Sequence, residues 1–121
     1  MKTILIVDDD PKMLDLLRHY LRDEQFNILS ALDGEEGMEL FESNTVDLVI
    51  IDIFMPNMDG IQAIMEVKQK NASSRILVIS GGGEYTGLEY LKQAKVLGAG
   101  EALVKPFSRQ DLLKTVHTML A

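Results

Sequence analysis

The stretch Val49-Ile50-Ile51-Asp52-Ile53-Phe54-Met55-Pro56-Asn57-Met58-Asp59-Gly60 constrains this chain more than any other. Its apolar residues follow one another without alternation, as in a strand buried on both faces of a parallel sheet. The Pro-Asn-Met-Asp-Gly turn then takes the chain out of the sheet at once. Asp52 therefore falls at the carboxyl end of a central strand, where open α/β sheets hold their ligands. A carboxylate is costly there unless something uses it. Asp52 is the expected functional centre.

The other elements follow in order. Lys2 to Val7 reads as a buried strand that ends in Asp8-Asp9-Asp10. Asp10 before Pro11 predicts a helix start, with Asp as N-cap and Pro in the first helical position. Leu14, Leu17 and Leu21 give that helix a core stripe, and Met13, Leu16 and Tyr20 widen its apolar arc. The wide arc is either a broad core face or, at Leu16 and Tyr20, a partly exposed docking surface. Phe26 to Ala31 is a second, weaker strand. Asp33 and Glu36 form a variant capping box for the second helix, where Gly37 points to close packing. Val46 to Asp52 is the central strand, and a third helix runs from about Gly60 to Lys70 with Ile61, Ile64 and Met65 on one face. Arg75 to Ile79 is the fourth strand, followed by Ser80 and three glycines. Leu88, Leu91, Ala94 and Leu97 mark a helix stopping at Gly98. Ala102 to Val104 is a short fifth strand ending at Lys105-Pro106. Ser108 with Asp111 caps a last helix striped by Leu112, Leu113, Val116, Met119 and Leu120. Five strands alternating with five helices predict an α/β fold, a doubly wound parallel sheet with right-handed crossovers.

A length of 121 residues allows one domain with a real core. No apolar run approaches a membrane span and no signal-like segment opens the chain, so the cytoplasm is expected. The absence of cysteine excludes disulfides, thiol catalysis and thiolate metal sites. A net charge of −7 argues against nucleic-acid binding. It suits a hard divalent cation with oxygen ligands.

Asp8, Asp9, Asp52, Ser80 and Lys105 all fall at the same ends of their strands, and in a parallel sheet those ends share one edge. Singly, each has a plainer reading: Asp10, Asp33 and Asp59 are read as helix caps, a serine after a strand as a turn residue, a lone lysine as surface. Their joint placement favours a site. Three clustered carboxylates repel unless a cation neutralises them. Lys105 and a divalent metal are the candidates, with Mg²⁺ preferring a few carboxylates, waters and a phosphate oxygen. A carboxylate so held can act as nucleophile toward a phosphoryl group.

The set VDDD, IIDIFMPNMDG, VISG and LVKPF, in this order and spacing, resembles the receiver domain of bacterial two-component response regulators over essentially the whole chain. The resemblance implies a flavodoxin-like three-layer sandwich. Its strand order, 2-1-3-4-5, is carried over from the chemotaxis member of the family. It implies Asp52 as phosphoacceptor, with Mg²⁺ (or Mn²⁺) bound by Asp8, Asp9, Asp52 and the backbone carbonyl of Phe54. Ser80 matches the switch hydroxyl and, with Gly81 and Lys105, would contact the phosphoryl group. The Lys105–Pro106 bond would be cis. Implied partners are a sensor histidine kinase or histidine phosphotransfer protein and a downstream protein target, with neither nucleic acid nor membrane. The chain would act as a monomer or weak homodimer. It would be no enzyme beyond its own phosphorylation and slow dephosphorylation. Residues 1–121 would form one stand-alone receiver domain without an output domain.

Ala102 stands at the switch position, where the family usually has Tyr or Phe, so an aromatic cannot swing inward there. The readout is therefore expected in the ordering of the glycine-rich segment at residues 81 to 97. Phe54 and Gly82 carry no group to orient water, which predicts slow loss of phosphate. Two alternatives stand beside this reading. Ala102 keeps open a pseudo-receiver that binds partners without phosphorylation. Asp8-x-Asp10 with Ser80 and Lys105 also echoes haloacid-dehalogenase-type phosphatases using Asp8 as nucleophile. Lys12 and the absence of an acidic pair after Lys105 weaken that echo. His19 and His117 are read as surface residues.

Overall fold

The computed structural model describes residues 1–22, 24–53, 60–81, 92, 95 and 98–121. Five strands form one parallel sheet: β1 (Lys2–Val7), β2 (Phe26–Ala31), β3 (Leu48–Asp52), β4 (Ile76–Gly81) and β5 (Glu101–Lys105), in the order β2-β1-β3-β4-β5. Four helices lie among the described residues: α1 (Pro11–Leu21), α2 (Gly34–Ser43), α3 (Gly60–Lys70) and α4 (Arg109–Leu120). The expected helix at Leu88 to Leu97, the cap at Asp59, and the roles given to Phe54 and Gly82 lie outside the described residues.

Side-chain alternation divides the core in two. Ile4, Ile6, Leu48, Ile50, Leu77 and Ile79 face α1 and α4, where Leu14, Leu17, Leu21, Leu112 and Val116 meet them. Leu5, Val7, Val49, Ile51, Ile76 and Val78 face α2 and α3, against Met38, Ala63, Ile64 and Val67. Every residue of β3 is buried, as its unbroken apolar run requires. The sheet is thus covered on both sides, and among the described residues its buried polar side chains, Asp8, Asp52, Ser74 and Ser80, lie at or near strand ends.

The caps at Asp10, Asp33 and Ser108 form as the sequence predicts, but Glu36 does not close the expected capping box with Asp33: its Oε1 accepts Leu32 N–H at 2.7 Å. Asp10 accepts from Lys12 N, Asp33 from Glu36 N, and Ser108 and Asp111 complete a capping box. Gly37 lies close over β1, since a Cβ there would come 3.0 Å from Val7 Cγ2. Three further expectations are corrected. The ladder of β3 begins at Leu48, not Val46, because Asp47 uses its carboxylate as well as its backbone on Thr3, taking Thr3 N–H at 2.7 Å. Strand β4 runs on through Ser80 to Gly81, because β5 pairs with it that far. Of the face expected for α3, Ile64 is buried and Ile61 packs half-buried against the core, but Met65 is exposed, and Gly60, Ala63 and Val67 complete the buried face. In α1, Met13, Leu16 and Tyr20 are half-buried, with Met13 and Tyr20 packed against the core.

Candidate phosphoacceptor and metal site

The parallel register brings the strand ends level. Val7 pairs with Ile51, Asp52 with Ile79, and Gly81 with Lys105. The next residue of the first strand, Asp8, and the last of the third, Asp52, become neighbours across the sheet edge. Lys105 reaches them from the far strand: its Nζ lies 3.2 Å from Asp52 Oδ2 and 3.5 Å from Asp8 Oδ2. Carboxylate oxygens of Asp8, Asp9 and Asp52 all lie within 4.8 Å of one another.

The members differ in exposure. Asp8 is 1% exposed and Asp52 7%, while Asp9 is open to solvent. Asp8 is held firmly. Its backbone N–H donates to Ala31 O at 3.1 Å, and its Oδ1 accepts Asp10 N–H at 2.9 Å. Its Oδ2 has no hydrogen-bond partner, only the Lys105 ammonium beyond 3 Å. Burial pushes the Asp8 carboxyl up to about 6, reinforced by the Asp52 charge and opposed by the Asp10 N–H and Lys105. Burial alone would lower the Lys105 ammonium, but the charges of Asp52 and Asp8 outweigh it and raise the pKa. Lys105 is therefore a firmly charged cation facing an electron-rich pocket.

A divalent metal fits these residues. Three carboxylates with a buried, underused oxygen are the hard donor set that Mg²⁺ takes, with waters completing its shell. Ser80 is 1% exposed and sits one residue before Gly81, the partner of Lys105. It directly follows Ile79, the residue in register with Asp52, at the carboxyl end of β4. Ala102 is half-buried and packs against the core on the α2 and α3 side, in register with Val78. The Lys105–Pro106 peptide bond is cis. Phe54 lies outside the described residues.

One contributor was not visible as such in the sequence. Asp10 is a helix cap, but its backbone N–H also chooses which Asp8 oxygen turns to the site. The signal available was the spacing: an N-cap two residues after an acid closes an Asx-type turn on that acid.

The chain matches the model of the response regulator receiver domain over residues 4–117. It belongs to that family. The transcriptional regulatory protein CpxR of Klebsiella pneumoniae subsp. pneumoniae (strain HS11286) is 35% identical over 99% of this chain and 50% of its own length. The alkaline phosphatase synthesis transcriptional regulatory protein PhoP of Bacillus subtilis (strain 168) is 31% identical, over 98% of this chain and 48% of its own. The chain thus spans about half the length of these relatives. Among solved structures, the chemotaxis protein CheY4 of Vibrio cholerae superposes with a TM-score of 0.90 at 30% identity, covering 99% of both chains. A response regulator receiver domain protein from Clostridium thermocellum gives 0.91 at 28% identity, over 99% of this chain and 94% of its own. The receiver domain is a signalling module of two-component systems, and the sheet order expected from the resemblance is the one observed.

Proposed function

We propose that this receiver domain accepts a phosphoryl group on Asp52, in a Mg²⁺-dependent (or Mn²⁺-dependent) reaction, from a sensor histidine kinase or a histidine phosphotransfer protein. One observation carries the reading. Asp52 ends a central strand with the Lys105 ammonium 3.2 Å away and two further carboxylates gathered around it. A carboxylate oxygen of Asp52 forms the new P–O bond as the bond from phosphorus to the donor breaks, and the bonding pair leaves with the donor. Lys105 holds the Asp52 carboxylate and presents positive charge where the phosphoryl oxygens arrive. Asp8, Asp9 and Asp52 would hold the metal, which when bound offsets charge on those oxygens. Ser80 and Gly81, at the neighbouring strand end, are the proposed contacts for the phosphoryl group once attached.

The aspartyl phosphate would change the conformation of the domain and alter its hold on a protein target. For these 121 residues the net charge of −7 favours protein partners over nucleic acid. The transcriptional regulators it resembles are about twice as long, so their names describe more than a receiver domain. Among the described residues no helix is long and apolar enough to cross a membrane. The cytoplasm is the proposed compartment, with residues 1–121 acting as one receiver domain, monomeric or weakly dimeric. The family is not one of turnover enzymes, and the only chemistry proposed is phosphorylation and slow dephosphorylation of Asp52.

Acetyl phosphate and mass spectrometry test this directly. The parent is expected to gain one phosphoryl mass with Mg²⁺ and none with a chelator, and Asp52→Asn to gain none. A parent that takes no adduct would overturn the reading in favour of a pseudo-receiver. Turnover that survives Asp52→Asn but is lost in Asp8→Asn would put the nucleophile at Asp8.

A further inference from the structure

We infer that Gly60 is a positioning residue for Asp52, setting where the phosphoacceptor carboxylate sits rather than merely starting α3. The inference rests on the phosphoacceptor reading of Asp52. Gly60 is the first residue of α3 and is buried. A Cβ on Gly60 would lie 2.4 Å from Ile53 Cα, 2.8 Å from Ile53 O and 2.9 Å from Asp52 O. All three are backbone atoms of the phosphoacceptor and the residue after it, so no rotamer change relieves the contact. The helix end therefore rests directly on the peptide that carries Asp52.

Hydrogen bonds fix that contact from both sides. Ile53 N–H donates to Ile79 O at 3.0 Å, which continues the β3–β4 ladder one residue past Asp52. Ile53 O in turn accepts Gly60 N–H at 2.9 Å. Ile53 itself is fully buried. The backbone of Ile53, the residue after Asp52, is thus clamped between β4 and the start of α3, and only a residue without Cβ lets the clamp close. Lacking any other room, an added methyl must displace either α3 or this backbone. Three buried side chains, Ala63, Ile64 and Val67, anchor the helix to the sheet. Any shift of the strand end that makes room for the methyl moves Asp52 relative to Lys105, Asp8 and Asp9.

The chemistry is sensitive to such a shift. Mg²⁺ demands nearly ideal octahedral geometry, and an ångström of misplacement at a reacting group costs on the order of 100-fold in rate. The other tight glycine contacts differ in kind. Gly37 meets the side chain of Val7, and Gly100 meets the flexible end of Met119 at 2.9 Å, far from the site at the amino end of β4.

The test compares the parent, Gly60→Ala and Ile64→Ala, the last costing stability on the same helix while adding no atoms near Asp52. Phosphorylation by acetyl phosphate is followed by mass, Mg²⁺ affinity by titration calorimetry, and both are expressed per folded molecule, with sucrose added at low temperature to keep the variants folded. Gly60→Ala is expected to lose about 10- to 100-fold in phosphorylation rate and about 10-fold in Mg²⁺ affinity. Ile64→Ala is expected to stay near the parent in both. Equal rates and affinities for parent and Gly60→Ala would overturn the inference. So would a Gly60→Ala chain that stays unfolded even in sucrose, since Gly60 would then serve folding rather than the site. A parent that never accepts phosphate sinks the proposed function instead, and the Mg²⁺ titration still reports whether Gly60→Ala disturbs the carboxylate cluster.

Discussion

Replacing Asp8 by Asn should stabilise the metal-free protein near neutral pH, although it deletes a member of the proposed metal site. The reason lies in what Asp8 is asked to do without a metal. Its carboxyl is 1% exposed, one of its oxygens lacks a hydrogen bond, and Asp52 adds a second negative charge nearby. Its folded pKa is raised from an ordinary 3.8 to about 6, with burial as the main cause. The folded state therefore binds the Asp8 proton more tightly than the unfolded state. Stability falls as pH rises between those two values and stays lowered above them. Two pH units at 1.36 kcal/mol each make the penalty about 3 kcal/mol above pH 6. An Asn at this position carries no charge at any pH and keeps an oxygen for the Asp10 N–H, so it escapes the penalty.

Urea unfolding followed by far-ultraviolet circular dichroism, in chelator from pH 4 to pH 8, measures this. At pH 4 the parent and Asp8→Asn should have similar midpoints. At pH 7 the variant should be higher by up to about 2 M, taking a slope of about 1.5 kcal/mol per molar urea. Other carboxylates tilt both curves alike, so the difference between the curves isolates Asp8. Saturating Mg²⁺ should raise the parent by about 3 kcal/mol at 100 times its dissociation constant and raise the variant much less. A midpoint difference that stays constant from pH 4 to pH 8 would refute the reasoning. A variant less stable than the parent at pH 7 would do so as well, because the Lys105 charge would then be offsetting the burial of Asp8 in full.

Two further changes probe the frame around the site. Gly98 has φ of +119°, and a Cβ there would also meet Lys68 Cε at 2.9 Å, so Gly98→Ala should cost about 1–3 kcal/mol in the same urea assay. An unchanged midpoint would count against the backbone conformation described at Gly98. Ile64→Ala should cost about 2–5 kcal/mol by leaving a cavity under α3, while Met65→Ala, at a side chain 53% exposed, should stay within about 0.5 kcal/mol. A Met65→Ala cost as large as that of Ile64→Ala would restore the helix face read from the sequence.

Asp8, Asp9, Asp52 and Lys105 could be found in the sequence because each interrupts or terminates an apolar run, and a parallel sheet gathers such interruptions at one edge. The caps at Asp10, Asp33 and Ser108 were legible for a related reason, being local signals read over three or four residues. What was misread depends on partners distant in sequence. Strand β4 continues to Gly81 only because β5 supplies a ladder for it, and Asp47 leaves β3 only because Thr3 offers it an N–H.

The misreading of α3 has the most consequence for function. Counting large apolar residues selects Ile61, Ile64 and Met65; Ile64 is buried and Ile61 half-buried against the core, but Met65 is exposed, and Gly60, Ala63 and Val67 make up the rest of the buried face. Small residues carry little weight in a hydrophobic periodicity, but they decide how close two backbones can come. Gly60 rests directly on the backbone of Asp52 and Ile53, so the start of α3 and the end of β3 are placed together. A glycine at the head of a helix, directly after a turn that leaves a functional strand end, is therefore better read as a point of contact than as a weak helix residue.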